Sequence, residues 1–176
     1  MKKLQTVYTA ISIALVSLTT FLFNSSVSLA GETNQVESTK LAPSWELADL
    51  EGKTIRSTDF KGKVVVLDFW ATWCPPCRAE IPDFIALQKK YAARGLAVIG
   101  VSVDQASLKT VKLFAEKNDI NYPVMIADNK IVDSFGGIDG LPTTFIIDRN
   151  GNIVKQHLGF TPPNTIEKEV KALLAP

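Results

Sequence analysis

Val64-Val65-Val66-Leu67-Asp68-Phe69-Trp70-Ala71-Thr72-Trp73-Cys74-Pro75-Pro76-Cys77 contains the only two cysteines of a 176-residue chain and joins two kinds of pattern. Residues 64–70 are a continuous run of branched and aromatic side chains, as in a strand buried on both faces at the middle of a sheet. One residue breaks the run, Asp68. Beyond Cys77, Ile81, Phe84, Ile85 and Tyr91 recur at helical spacing until Gly95 stops the pattern. Cys74 is therefore expected where a buried strand gives way to a helix. The positive end of the helix dipole and the unpaired amide of Cys77 favour a thiolate there, lowering the Cys74 pKa below that of a free thiol.

Two cysteines three apart in a first helical turn can close a small disulfide and reopen it. A bracing disulfide normally joins distant segments, because short loops constrain the unfolded chain least. A zinc site needs four ligands, and the chain offers two cysteines and a single His157. Redox exchange is thus the reading, with no metal and no cofactor. Cys74, nearer the helix start and the surface, is the candidate nucleophile that becomes bonded to a partner. Cys77, one turn deeper, then attacks Cys74 and releases the reduced partner. That second attack needs a deprotonated Cys77 in an apolar setting that favours the thiol, so a nearby base would help. Asp68 qualifies, since a carboxylate in a core strand should have its proton affinity raised toward neutrality. The alternative is that Asp68 lies at the wet end of the strand and merely bonds a backbone amide. Pro75 and Pro76 lack N–H groups that might have bonded the thiolate. Weaker thiolate stabilisation favours an electron donor over a strong oxidant.

The run Leu67 to Cys77, taken with Gly140-Leu141-Pro142-Thr143-Thr144-Phe145, resembles the thioredoxin superfamily. Within it the chain is similar to the exported, membrane-associated TlpA and ResA-like thiol-disulfide oxidoreductases, over roughly residues 41 to 174. The resemblance implies four things about the site. A carboxylate at the Asp68 position accepts a proton. A glutamate at the Glu80 position, three residues beyond Cys77, tunes the cysteines; without the resemblance Glu80 would read as a solvated first-turn carboxylate. Pro142 is held in cis opposite the cysteine pair, leaving the Leu141 backbone free to pair with an extended partner peptide. The implied partners are disulfide-bearing exported proteins, such as apocytochrome c or another assembly factor, with a membrane thiol-disulfide donor recharging the pair. Trp73 flanks the nucleophile and is read as covering it or meeting partners, with packing as the alternative. Pro82 and Trp70 read as structural, and His157 receives no catalytic role.

Outward from this centre, Lys2 and Lys3, an apolar stretch from about Tyr8 to Phe23, and Ser28-Leu29-Ala30 read as an export signal over residues 1–30. An uncleaved anchor tethering the protein to a membrane is the alternative. No cysteine near residue 30 offers a lipid attachment point. Residues 31–40 are polar and read as a flexible tether, and residues 41–176 as one thioredoxin-like domain. Loss of the signal changes the formal charge from +1 to −1. Near neutrality argues against nucleic acid as a partner, which requires a basic surface. Export places the pair in an extracytoplasmic, periplasm-like compartment where disulfides persist.

The fold class expected is α/β, a mixed central sheet with helices on both faces and an added N-terminal hairpin. Trp45 to Ile55 read as that hairpin, and Ser57-Thr58-Asp59-Phe60 as a helix start before a short turn. Leu96–Val103 reads as a strand parallel to the first, joined to it by a right-handed crossover helix. Ser107 is expected to cap a helix with Leu108, Val111, Phe114 and Ala115 facing the core. A strand at 123–126, a short helix at 129–135, a hairpin of 143–147 with 153–158, and a closing helix at 163–174 complete the chain. Two rival functions compete. A peroxide reductase on the same fold would want a threonine three residues before its cysteine, where Ala71 stands. A copper-binding assembly protein would add a histidine ligand and a different cysteine spacing.

Overall fold

The structure is a computed structural model and describes residues 40–105 and 107–175. The export signal and nearly all of the tether lie outside these residues. Among the described residues no helix is long and apolar enough to cross a membrane.

The central strand, β4 (Val64–Trp70), is buried at every position. It pairs in parallel with β5 (Leu96–Ser102), which pairs in parallel with β6 (Val124–Ile126). On its other side β4 runs antiparallel to β7 (Thr143–Ile147), and β7 to β8 (Asn152–Leu158). A short β1 (Lys40–Leu41) pairs with the start of β8, so strand pairing begins one residue inside the stretch read as tether. The six-stranded order is β1-β8-β7-β4-β5-β6. Separately, β2 (Glu46–Ala48) and β3 (Thr54–Arg56) form an antiparallel pair.

Helix α1 (Pro75–Tyr91) connects β4 to β5, and α2 (Leu108–Lys117) connects β5 to β6. Both crossovers lie on one face, where the closing helix α4 (Pro163–Leu174) joins them: Phe84, Val111 and Val170 share a core with Val64, Val66 and Trp70. The short α3 (Asn129–Ser134) and the β2–β3 pair cover the opposite face, where Trp45, Ile131 and Phe135 meet Val65, Leu67 and Phe69. Gly95 ends the α1 segment with a φ of 93°, a conformation that side chains beyond glycine resist.

Two local expectations change. Leu108, expected on the core face of α2, is 49% exposed, because it is the first residue of the helix and lies beyond the edge of the packed face. The Ser107 side chain does not cap that helix; its hydroxyl lies 3.1 Å from Thr110 Oγ1.

Candidate functional site

Cys74 is the last non-helical residue before α1, with extended φ and ψ of −89° and 107°. Pro75 and Pro76 fill the first two helical positions. No helical partner awaits their missing N–H groups there, so prolines start the helix at no cost in hydrogen bonds. The first amide after them, that of Cys77, donates back to Cys74 Sγ at 3.3 Å. The two sulfurs are bonded to each other across a Cα separation of 5.4 Å. In this closed state Cys74 is only 3% exposed and Cys77 1%, so the surface-to-depth contrast expected between them is slight.

The loop carrying Cys74 is fastened to the neighbouring strand. Asp104, just past β5, accepts from the Thr72 amide at 2.8 Å, the Thr72 hydroxyl at 2.6 Å and the Ser102 hydroxyl at 2.7 Å. Three donors on one buried carboxylate satisfy a charge that would otherwise be costly to enclose. Cys74 N–H closes the turn on the Ala71 carbonyl at 3.1 Å.

Asp68 sits in β4 with Gly100 beside it on β5 and Thr144 on β7. Its neighbours Val66 and Trp70 fix its side chain on the face covered by α1, and it is 4% exposed. It does not lie at a wet strand end. Burial, and then the charge of Glu80, push its pKa up to about 8, against the opposing pull of the Thr144 hydroxyl, which donates to Oδ1 at 3.0 Å.

Glu80 is 2% exposed, so it is not a solvated first-turn carboxylate. Its Oε1 accepts the Thr161 N–H at 2.6 Å, while Oε2 has no hydrogen-bond partner among the described residues. Burial raises its pKa, and the Thr161 amide opposes the rise. Two enclosed carboxylates that repel each other cannot readily both ionise, so the site is built to hold at least one proton.

Trp73 is 65% exposed rather than packed. It lines a groove of about 600 Å³ together with Cys74, Val103, Val132, Ile138 and Leu141. The Leu141–Pro142 peptide is cis. His157 lies on β8 outside this groove, its Nε2 2.8 Å from Glu169 Oε2 on α4. Among the described residues no group of three or more His, Cys, Asp or Glu is placed to hold a metal ion.

Sequence reasoning missed Thr144, Thr161 and Asp104. Thr144 meets Asp68 only through strand register, and Thr161 acts through a backbone amide that its side chain does not advertise. Asp104 follows a strand as a loop residue normally does.

A family model described as the AhpC/TSA family matches residues 39–156. A thiol-disulfide oxidoreductase ResA of Bacillus thuringiensis subsp. konkukian is 37% identical over 140 residues, covering 79% of this chain and 80% of that protein. Among solved structures, a thiol:disulfide interchange protein of the thioredoxin family from Chlorobium tepidum is 38% identical. It superposes with a TM-score of 0.73 over 78% of this chain and 97% of that one. An exposed lipoprotein thioredoxin of Streptococcus pneumoniae is 33% identical, with a TM-score of 0.66 over 74% of this chain and all of that one.

Proposed function

We propose, for a chain that belongs to the AhpC/TSA family and is a thiol-disulfide oxidoreductase with a thioredoxin fold, that it reduces disulfides of exported proteins. The observation that carries this reading is a disulfide at a helix start, beside an exposed Trp73 and a groove lined largely by apolar side chains.

In the reduced state the Cys74 thiolate attacks one sulfur of a partner disulfide. The partner's other sulfur leaves as a thiolate and takes a proton from solvent, and Cys74 is left in a mixed disulfide. Asp68 takes the proton of the Cys77 thiol. The Cys77 thiolate attacks Cys74, the second partner sulfur leaves, and two electrons have passed from the cysteine pair to the partner. Glu80, held by the Thr161 amide, sets how readily Asp68 ionises. Trp73 and the backbone of Leu141 beside Pro142 hold the partner peptide, with Val103, Val132 and Ile138 selecting apolar side chains near its cysteine. Among the described residues the Cys77 amide is the one that donates to Cys74 Sγ, and so sparse a donor set around the sulfur supports a reductant over a strong oxidant.

Residues 1–30 act as the export signal, residues 31–40 as a tether, and residues 41–176 as the working domain. Lys2, Lys3 and the apolar stretch after them support this, as does the exposed location named for one similar structure. A membrane thiol-disulfide donor returns the electrons, and apocytochrome c or another assembly factor is the partner that the resemblance of the sequence implies.

Three measurements test the reading. Cys77→Ser should trap partners in stable mixed disulfides through Cys74, while Cys74→Ser traps none; the reverse would exchange the two roles. Equilibration with a glutathione buffer should give a midpoint well below that of a strong oxidase. Peroxide consumption faster than disulfide exchange would favour the peroxide reductase instead.

A further inference from the structure

Asp68, Thr144 and His157 stand in one row across three strands. Asp68 of β4 is the register partner of Thr144 on β7, and Thr144 is the register partner of His157 on β8. Directly opposed residues of antiparallel strands point to the same face, with Cβ atoms about 4.5–5.5 Å apart. Thr144 Oγ1 donates to Asp68 Oδ1 and makes no direct hydrogen bond to the imidazole, so at that spacing the link between them is one bridging water. Contact between His157 and Glu169 of α4 independently places the ring on the face occupied by Asp68. The row runs from enclosed to wet: Asp68 and Thr144 are 4% and 1% exposed, whereas the His157 and Glu169 side chains are 18% and 22% exposed.

A proton taken up by Asp68 must leave before the next cycle, and Asp68 itself is enclosed, 4% exposed. We propose that His157 is a proton-relay residue, passing protons between Asp68 and solvent through the Thr144 hydroxyl, with Glu169 holding the imidazole in place. The inference rests on Asp68 as the proton acceptor for Cys77. In the outward step the Asp68 carboxylic acid gives its proton to Thr144 Oγ1 as the Thr144 hydroxyl gives its own, through one bridging water, to His157 Nδ1. The ring then releases the Nε2 proton to Glu169 or water, so no positive charge stays on the imidazole and Asp68 is left as the carboxylate that the next cycle needs. The charged and titratable groups facing this row are Glu80 and Asp83 on α1, Glu169 on α4, Tyr122 before β6 and Lys155 on β8. His157 also lies close enough to Glu80 to act on its carboxylate electrostatically.

The test is the single-turnover rate of partner release from a preformed mixed disulfide on Cys74, followed against pH and buffer in the full-length protein. His157→Gln should slow release about tenfold near pH 7, less than the roughly 10²–10⁴ attributed to a direct general base. Added imidazole should restore it, and the solvent deuterium isotope effect should rise. Thr144→Val should give the same slowing without restoration, and combining it with His157→Gln should add nothing further. Should His157→Gln fold poorly, Glu169→Gln, which keeps the ring, should shift the pH profile of release. Unchanged rates and profiles in His157→Gln, or slowing that imidazole leaves untouched, would overturn the relay. Asp68→Asn separates the two levels: slow release there with normal release in His157→Gln removes only the relay, and normal release in Asp68→Asn removes both.

Discussion

The two faces of β4 differ in kind. Val65, Leu67 and Phe69 look onto an apolar layer in which Phe69, Phe135 and Phe145 meet at centroid distances of 4.9–6.0 Å and the buried Thr143 hydroxyl is satisfied by the Gly140 carbonyl. Val64, Val66 and Trp70 look onto a layer of similar apolar content that also encloses Asp68, Glu80, the cysteine pair and Tyr122, whose own pKa is driven up by burial. The plain face holds the strand; the reactive face carries a destabilising load that the plain face offsets. A carboxylate kept dry lowers stability wherever it is charged, and it is tolerated because the chemistry needs a base there.

That contrast can be broken most sharply at the sulfur. Cys74→Ser should lower disulfide reduction by at least about 10³-fold while leaving the unfolding midpoint of the reduced protein nearly unchanged, as turnover and urea titration would show. Phe69→Ala should do the opposite, costing about 3–5 kcal/mol of stability while retaining most activity at temperatures below its melt. Asp68→Asn separates load from function. Between about pH 4 and pH 8 the native protein keeps a proton on Asp68 that the unfolded chain has lost, so wild-type stability falls as pH rises through that window. The Asn variant should match wild type near pH 4 and exceed it by about 2–4 kcal/mol at pH 8, with partner release slowed most near and above pH 8, where wild-type Asp68 is ionised and able to act as a base; equal stability at both pH values would mean that the carboxylate is not under strain. Arg56→Ala removes an exposed pair with Glu46 at 2.7 Å, far from either face, and should cost less than about 1 kcal/mol in the same titration.

Much of this was legible from residues 64–77 alone. Residues 64–70 read as a strand covered on both sides, but whether Asp68 was enclosed or lay at a wet strand end stayed open until the structure enclosed it. The helical spacing of Ile81, Phe84, Ile85 and Tyr91 after the strand placed the helix start beside Cys74, and Pro75 and Pro76 occupy its first two positions. Glu80 was read with two fates, because a first-turn position says nothing about what lies above it; the connection between β8 and α4 closes over it and supplies the Thr161 amide. Leu108 shows the same limit in reverse. Helical spacing places it on the core stripe, but the stripe extends past the end of the sheet. Periodicity reports which side of an element is apolar, whereas contacts between strands distant in sequence, such as Asp68 with Thr144, depend on register that no local pattern encodes.

The grip of Asp104 on Thr72 and Ser102 anchors the reactive loop from outside the helix that follows it. Pro75 and Pro76 can therefore be treated as an exchangeable insert. A library varying only those two positions would sample electron-donating strength on a platform whose shape is set elsewhere, giving a graded series of reagents from one scaffold.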